Sequence, residues 1–284
     1  MNKVTIAKTA GFCFGVRRAV DMVYREAENE KGPIFTLGPI IHNEQVVKDL
    51  EEKGVRVLSE KELDTSLPSE GSVIIRSHGV SREVEEKLRR SGLKIVDATC
   101  PFVRKIHDIV REKSREGRHI LIIGDPAHPE VIGIRGWAEG PCDVVPDKET
   151  LLSLHIDSDE RVTVVAQTTF NYEYFQELVE ILSRLVYDIN VLNTICSATK
   201  ERQEEAAALA AYSDVMLVVG SRSSSNTQKL YSICKAKCAD TYYIPTLDDL
   251  VTVDFGSDSS VGITAGASAP NTIIQEVSQY VRGT

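Results

Sequence analysis

The sequence predicts an α/β protein made of three similar repeats with mostly parallel four-stranded sheets. Apolar or β-branched runs of four to eight residues alternate with helix-length periodic stretches, which is the pattern of βαβ units. The segment 9–18 (TAGFCFGVRR), where a strand-like run leads to a cysteine and then to a helical pattern, returns at 98–105 and more faintly at 194–200. A basic residue follows four positions after each cysteine, as Arg17, Arg104 and Lys200.

Polar loops recur at matching distances behind the three cysteines. The first loop is centred 28 or 29 residues after each cysteine and the second 65 to 72 residues after it. In chain order the six loops contain His42, His78, His128, Thr168, Ser224 and Ser268. This agreement predicts three domains, 9–97, 98–193 and 194–284.

The predicted strands follow from the apolar runs, taken in order along the chain. They span 4–7, 34–37, 55–57, 72–76, 94–96, 119–123, 143–145, 161–166, 190–192, 214–219, 241–244 and 259–264. The third repeat is one strand short, so the N-terminal segment 1–8 is expected to pair into the third domain. Helix ends agree, with Asn43 and Ser81 as expected N-caps, Pro270 in a first turn, and Gly32, Gly54, Gly92 and Gly117 after helical stretches.

Composition limits the class of function. The 284 residues are 42% hydrophobic and 26% charged, which is ordinary for a globular protein able to bury a core. The net charge of −9 argues against general nucleic-acid binding, which selects basic surfaces. No apolar stretch is long enough for a membrane span, and the apolar stretch between Lys3 and Lys8 is too short for the hydrophobic region of a secretory signal. We therefore expect a cytoplasmic protein with no membrane partner.

The six cysteines predict a metal site. In a reducing cytosol, metal binding or catalysis is a better expectation than disulfides. Cys13, Cys100 and Cys196 occupy matching repeat positions, so they are predicted to hold one metal cluster on a pseudo-threefold axis. Iron–sulfur clusters usually take four thiolates, and three leave one iron open to an oxygen ligand. Zinc with a Cys₃His set is the alternative, but the close C-x₂-C pairs typical of structural zinc are absent from the sequence.

The other three cysteines receive no functional role. Cys234 and Cys238 lie four apart on a predicted helix, a spacing that packing also produces. Cys142 has no counterpart in the other repeats.

The six loops predict an anion site, because ligands of parallel α/β units bind at the carboxyl ends of strands and near helix N-termini. Glu130 would begin a helix facing the same centre, where a carboxyl group can pass protons. Imidazoles, hydroxyls and amides can together hold a diphosphate without a basic surface. The residues that carry these groups are His42, His78, His128, Thr168, Ser224, Ser225, Asn226 and Ser268.

These motifs resemble one family along the whole chain, the 4-hydroxy-3-methylbut-2-enyl diphosphate reductases. The segments that carry the resemblance are AGFCFGVRR (10–18), LGPIIHN (37–43), RSHG (76–79), DATCPFV (97–103), HPE (128–130), QTT (167–169), SSN (224–226) and GASAP (266–270).

The resemblance implies a trefoil of three α/β domains around a [4Fe-4S] cluster held by Cys13, Cys100 and Cys196, with one open iron site. It implies reductive dehydroxylation of the allylic diphosphate to isopentenyl and dimethylallyl diphosphate, the last step of the non-mevalonate isoprenoid pathway. Glu130, Thr168 and His128 would be catalytic, with Glu130 delivering protons and Thr168 ordering the hydroxyl or its water. The diphosphate would be held by His42, His78, His128, Ser224, Ser225, Asn226 and Ser268.

Further partners follow from the same resemblance. Electrons would come singly from a ferredoxin or flavodoxin, since no G-x-G-x-x-G fingerprint for a nicotinamide or flavin is present. The protein would be a monomer or homodimer. Two alternatives stay open at this point: a quinolinate-synthase-like [4Fe-4S] dehydratase, and a non-enzymatic iron–sulfur or zinc sensor or binding module.

Overall fold

The computed structural model describes residues 3–30, 32–65, 70–256 and 258–283. These residues contain three four-stranded sheets whose strand pairs are all parallel. The prediction of three α/β repeats with parallel four-stranded sheets is therefore confirmed.

The strands are β1 (Lys3–Ile6), β2 (Ile34–Leu37), β3 (Val55–Leu58), β4 (Ser72–Ile75), β5 (Lys94–Asp97), β6 (His119–Ile123), β7 (Cys142–Val145), β8 (Arg161–Ala166), β9 (Asp188–Val191), β10 (Val215–Val219), β11 (Asp240–Ile244) and β12 (Ser260–Ala265). Each differs from its predicted span by no more than two residues at either end. Strand ends depend on the last ladder hydrogen bond, which apolar runs do not specify.

The helices are α1 (Phe14–Asn29), α2 (Glu44–Glu52), α3 (Glu62–Thr65), α4 (Arg82–Arg90), α5 (Pro101–Arg115), α6 (Pro129–Arg135), α7 (Lys148–Ser153), α8 (Tyr172–Leu185), α9 (Ser197–Ala210), α10 (Ser225–Lys235) and α11 (Asn271–Gly283), with a 3₁₀ helix at Leu247–Thr252.

Several predicted helix ends are confirmed. Asn43 Oδ1 accepts a hydrogen bond from Val46 N at 3.0 Å, and Ser81 Oγ accepts one from Val84 N at 3.3 Å. Glycines with positive φ follow α2, α4 and α5, at positions 54, 92 and 117. Two details differ: Pro270 precedes α11 instead of lying in its first turn, and Gly32 comes three residues after the end of α1. Helices begin and end where local hydrogen bonding does, which can differ by a residue or two from the periodic pattern.

The three sheets share one strand order. The first is β3-β2-β4-β5, the second is β7-β6-β8-β9, and the third is β11-β10-β12-β1. In the third sheet the N-terminal strand takes the outer place that β5 and β9 take in the others, with Lys3 paired to Ser260 and Ile6 to Ile263. This is the pairing that the sequence analysis expected of the N-terminal segment, of which residues 1 and 2 lie outside the described residues.

The chain divides into two compact units. Unit 1 comprises residues 1–17, 42–46 and 196–284 where described, and holds the sheet of β1, β10, β11 and β12. Unit 2 comprises residues 18–41 and 47–195 where described, and holds the other two sheets. The boundaries of the three sequence domains, 9–97, 98–193 and 194–284, stay a prediction.

Helices on both faces explain the composition of the inner strands. Every residue of β2, β4, β6 and β10 is buried, and β8 and β12 each have one residue that is not. Strands covered on both faces are near-continuous apolar runs and do not alternate between apolar and polar residues. The cores form around these strands, for example around Leu217 and Ile263 in unit 1 and around Leu121 and Val164 in unit 2. Among the described residues, the helices are all too short or too polar to cross a bilayer.

Gly71 at the start of β4 allows a stability test. Its φ is +110°, and a Cβ there would lie 2.2 Å from the backbone oxygen of Pro33. Gly117 has φ +75° with open space around a would-be Cβ. We expect Gly117→Ala to lower the free energy of unfolding by about 1–2 kcal/mol. We expect Gly71→Ala to lower it by about 2–5 kcal/mol, because overpacking adds to the backbone cost.

Urea unfolding of the two variants, followed by far-UV circular dichroism, measures the difference. Equal destabilisation by the two substitutions would contradict the close approach of Gly71 to Pro33.

Candidate active site

The candidate active site is built from the carboxyl ends of parallel strands. The two inner strands of every sheet, β2 and β4, β6 and β8, and β10 and β12, each lead into one of the six polar loops. The equivalent outer strands β5, β9 and β1 each lead to a cysteine, at positions 100, 196 and 13. Within a parallel sheet these ends share one edge, so loops and cysteine turn of one sheet lie on the same side.

Each of the three cysteines stands directly before a helix. Cys100 is the N-cap of α5, with Pro101 as its first residue, Cys196 is the N-cap of α9, and Cys13 precedes Phe14 of α1. None of the three forms a disulfide, and all three are partly exposed. Helix N-termini stabilise negative charge, and thiolates are the form that binds metals. Each of these three residues could therefore ligate a metal as a thiolate.

The Cys100 turn in unit 2 is fixed by backbone contacts. Cys100 N donates to Ser77 O at 2.9 Å, and Ser77 Oγ donates to Ile40 O at 3.3 Å. The hydrogen bond from Cys100 N to Ser77 O connects the cysteine to the loop that carries His78. Arg18 of α1 donates from Nη1 to Thr99 O at 3.1 Å and from Nη2 to Asp97 O at 3.3 Å. Arg18 was missed by the sequence analysis, which singled out its neighbour Arg17.

Arg104, the basic residue four positions after Cys100, forms ion pairs with two carboxylates. It pairs with Asp97, and its Nη1 lies 2.9 Å from Glu85 Oε2. Asp97 in turn accepts from Thr99 N at 2.9 Å, and hydrogen bonding to Thr99 and the charge of Arg104 hold the pKa of this carboxyl below its usual value despite burial. The Asp97 carboxylate thus shapes the turn before Cys100.

Glu130 and Thr168 form a buried pair in unit 2. Glu130 is 2% exposed and Thr168 is 7% exposed. Thr168 N donates to Glu130 Oε1 at 2.6 Å, and Thr168 Oγ1 donates to Oε2 at 2.7 Å, so each carboxylate oxygen has a donor. Burial raises the pKa of Glu130 to about 6, while the two bonds from Thr168 oppose that rise. A carboxyl group with this pKa can hold and release a proton near neutral pH.

His128 is oriented by the same helix end. It is the N-cap of α6, and its Nδ1 accepts a hydrogen bond from Glu130 N at 3.2 Å. Since Nδ1 accepts, the neutral ring carries its proton on Nε2. The ring of His78 meets that of His128 edge-on, with centroids 5.3 Å apart and planes at 82°. The structure therefore brings His78, His128, Glu130 and Thr168 together in one chain of contacts.

Gln167, the first residue of the QTT segment, supports this group. It is 1% exposed, its Oε1 accepts from Asp125 N at 3.1 Å, and its Nε2 donates to Thr169 Oγ1 at 3.0 Å. It thereby joins the loop after β8 to the loop after β6. A Cβ on Gly124 would lie 2.9 Å from the Gln167 Cβ, so the close contact of the two loops requires glycine there.

The polar loops of unit 1 are joined in a similar way. Asn226 Oδ1 accepts from Ala267 N at 3.0 Å, and Asn43 Nδ2 donates to Ser268 O at 3.1 Å. Ser224 is the N-cap of α10 and accepts from Thr227 N at 3.4 Å, and Ser225 is the first residue of that helix. These bonds bring together Asn226, Ser268 and the His42–Asn43 segment.

Two atoms of this group point to a ligand. Asn226 Nδ2 and Ser268 Oγ are buried and have no hydrogen-bond partner among the residues that the structure describes. Buried polar groups are nearly always hydrogen-bonded, so each unsatisfied one requires an explanation. An amide N–H and a hydroxyl O–H can both donate to the oxygens of an anion. The loops of unit 1 thus fit an anionic ligand with several acceptor oxygens.

These observations define an α/β protein with cysteines at three helix starts, a buried proton-holding carboxyl group, and polar strand ends that suit an oxyanion. A family model described as LytB protein matches residues 4–282. The chain belongs to this family, and the predicted family is confirmed.

Named relatives agree with this assignment. The 4-hydroxy-3-methylbut-2-enyl diphosphate reductase of Caldanaerobacter subterraneus subsp. tengcongensis is 44% identical over 281 residues, which cover 99% of this chain and 96% of the relative. The enzyme of the same name from Clostridioides difficile is 45% identical over 278 residues, covering 98% of each chain.

Solved structures give the same result. One is of (E)-4-hydroxy-3-methyl-but-2-enyl diphosphate reductase, described as the terminal enzyme of the non-mevalonate pathway. It is 40% identical with a TM-score of 0.71, and the match covers 100% of both chains. The E-1-hydroxy-2-methyl-but-2-enyl-4-diphosphate reductase from Plasmodium falciparum is 30% identical with a TM-score of 0.90, covering 99% of this chain and 88% of that one.

Thr168→Val tests the buried pair. Valine keeps the shape but removes the hydroxyl that donates to Glu130 Oε2, whereas the donor at Thr168 N remains. We expect the pKa of Glu130 to rise further above 6, by about one pH unit, because a hydrogen bond to a charged group is lost. Infrared titration of the protonated carboxyl band measures this pKa.

Thr168→Ser is the control, since it keeps the hydroxyl and is expected to leave the pKa of Glu130 unchanged. If the Thr168→Val and Thr168→Ser variants gave the same titration curve, the hydrogen bond from Thr168 Oγ1 would not lower the pKa of Glu130.

Proposed function

We propose that this protein is a 4-hydroxy-3-methylbut-2-enyl diphosphate reductase. The observation that carries the proposal is the near-full-length match to relatives of that name in the LytB family. The substrate is an allylic alcohol with a diphosphate group. Two electrons and two protons convert it to isopentenyl or dimethylallyl diphosphate and water: the C–O bond breaks, a C–H bond forms, and the hydroxyl leaves after taking up a proton.

Membership in the family implies an iron–sulfur cofactor. Three cysteines at helix starts could supply the thiolates that such clusters bind, and they follow equivalent outer strands of the three sheets. Our proposal for this cofactor is a [4Fe-4S] cluster held by Cys13, Cys100 and Cys196, with one iron lacking a protein ligand. When bound, the cluster supplies the two electrons one at a time.

The diphosphate is assigned to the polar strand ends. Asn226 Nδ2 and Ser268 Oγ are buried donors that an anion would satisfy. His128, protonated on Nε2, can donate from that nitrogen, and His78 lies against it. The proposed set that binds the diphosphate is His42, His78, His128, Ser224, Ser225, Asn226 and Ser268.

Glu130 is assigned the proton transfer and Thr168 the orientation of the hydroxyl or its water. The Glu130 carboxyl is held in one orientation by two donors of Thr168, and its pKa of about 6 allows both protonation states near neutral pH. When Glu130 is protonated, Thr168 Oγ1 can accept a hydrogen bond from the carboxyl O–H or turn toward another group, because a hydroxyl both donates and accepts hydrogen bonds. The pair can thus pass a proton without moving the backbone.

The electron donor, the oligomeric state and the location are also proposals. A ferredoxin or flavodoxin is the proposed one-electron donor, the protein is proposed to act as a monomer or homodimer, and the proposed location is the cytoplasm. The family match favours the reductase over the quinolinate-synthase-like dehydratase and over a non-enzymatic metal-binding module. Anaerobic assay with the allylic diphosphate and a reduced viologen dye tests the activity, and failure to form either product would reject it.

Replacement of Cys196 by serine tests the cluster assignment. We expect Cys196→Ser to lose most of the iron and the visible absorption of the anaerobically purified protein, because two thiolates hold a cluster weakly. Cys142→Ser is the matched control. Burial raises the pKa of the Cys142 thiol to about 12, so it stays protonated and we expect no loss of iron. Wild-type iron content in Cys196→Ser would remove Cys196 from the ligand set.

Glu130→Gln tests the proton transfer. Glutamine can accept from Thr168 N through its carbonyl and donate to Thr168 Oγ1, so we expect iron content and substrate affinity to stay near wild type while most turnover is lost. The wild-type rate should fall as pH rises above about 6, because the proton-donating form is then depleted, and the residual rate of the variant should lack this dependence.

Steady-state rates across pH with the allylic diphosphate measure both effects. Glu173→Gln, at an exposed position of α8, is the control with the same change of charge. Full activity in Glu130→Gln would exclude Glu130 as the proton donor.

A further inference from the structure

Helix α9 of unit 1 begins after Cys196, and two of its side chains form hydrogen bonds with the segment that leads to Cys13. Glu205 Oε1 accepts from Lys8 N at 2.8 Å, and its Oε2 accepts from Thr9 N at 2.8 Å and from Thr9 Oγ1 at 2.6 Å. One turn earlier, Arg202 Nη2 donates to Gly11 O at 2.8 Å. Two side chains of one helix therefore hold the backbone on the way to Cys13.

Arg202 also reaches the loop that carries Ser268. Its Nη1 donates to Ala265 O at the end of β12. A single guanidinium thus joins the turn of one cysteine, the helix that begins at another, and a strand end of the anion site. All of these contacts lie within unit 1.

The charge of Arg202 is unusual for its position. The residue is only 3% exposed, and among the described residues its hydrogen bonds go to backbone carbonyls, with no ion pair to a carboxylate. Burial lowers the pKa of the guanidinium, while the Cys13 and Cys196 thiols and Glu205 oppose that shift. Arginine stays protonated at neutral pH all the same. A buried cation is costly unless negative charge lies near it, and the groups that can supply it are Glu205 and, as thiolates, Cys13 and Cys196.

We propose that Arg202 is a positioning residue that fixes the Cys13 turn against α9 and places a buried positive charge beside the Cys13 and Cys196 sulfurs. Through that charge it raises the reduction potential of the iron–sulfur cluster, an inference that rests on the cofactor of the proposed function.

The physical reason is the sign of the charge that reduction adds. A cluster with thiolate ligands is negative and becomes more negative when it accepts an electron. Cluster potentials depend on net charge and on the charges and hydrogen bonds around the sulfurs, and Coulomb interactions are strong in a poorly solvated interior. A buried cation therefore stabilises the reduced state more than the oxidised state. A purely structural clamp would fix the turn without this effect on the potential.

Three variants separate charge from clamping. Arg202→Gln removes the charge, Arg202→Lys keeps it but cannot bridge two carbonyls in the same way, and Arg184→Gln removes an arginine whose side chain is 74% exposed. The midpoint potential of the cluster is measured by EPR-monitored redox titration, together with iron and sulfide content. Neither measurement requires turnover.

We expect the equilibrium constant for one-electron reduction to fall at least tenfold in Arg202→Gln, which is about 59 mV. Arg202→Lys should keep most of the potential while binding less iron than wild type, and Arg184→Gln should match wild type in both. If Arg202→Gln holds no cluster, its potential cannot be measured and the iron contents of the two variants are compared instead. More iron in Arg202→Lys than in Arg202→Gln supports the role of the charge.

Two results would overturn the inference. One is a wild-type potential and iron content in Arg202→Gln. The other is the same potential shift, or the same loss of iron, in the lysine and glutamine variants, which would leave the charge without effect. Failure of the proposed function looks different, since the wild-type protein would then form no product from the allylic diphosphate, whereas the titration of its cluster would still report on Arg202.

Discussion

The fold and the candidate site both depend on the parallel pairing of strands within each sheet. The carboxyl ends of parallel strands lie at the same end of a sheet. The residues that follow these strands therefore lie on one side of that sheet. The consequence is visible in each sheet: inner strands lead to the polar loops, and the outer strand leads to a cysteine. In the third sheet β1 supplies that outer strand by pairing with β12. The position of Cys13 therefore depends on a pairing between the two ends of the sequence.

The repeat made most of this predictable. Apolar runs and cysteine spacing gave the twelve strands within two residues, and the missing strand of the third repeat pointed to the N-terminal segment. His128, Glu130 and Thr168 were found because each belongs to a loop at a strand end. Contacts between these loops could not be predicted, since a hydrogen bond such as that from Thr168 Oγ1 to Glu130 depends on side-chain direction.

The arginines show why sequence patterns did not identify every residue that contacts the cysteine turns. The spacing from each cysteine drew attention to Arg17, which is exposed, whereas Arg18 and Arg202 make the contacts to the turns. On α9 the buried face contains Thr199, Arg202, Gln203, Ala206 and Ala210. Because three of these five are polar, hydrophobic periodicity alone does not identify the buried face. The small residues Ala206 and Ala210 are the signal that could have done so, since they lie four and eight positions after Arg202 on the same side of the helix.

The buried polar groups have a common energetic meaning. Burial raises the pKa of Glu130, the buried Arg202 donates to backbone carbonyls, and Asn226 and Ser268 have donors with no partner among the described residues. Each of these groups lowers the stability of the protein when no ligand is present, by about 1–3 kcal/mol for an unsatisfied hydrogen-bonding group. A ligand that satisfies them binds the folded state alone and stabilises it in proportion to its affinity. The donors of Asn226 and Ser268 and the charge of Arg202 therefore lower the stability of the free protein and would favour a negatively charged ligand in unit 1, whereas the Glu130 carboxyl group suits proton transfer.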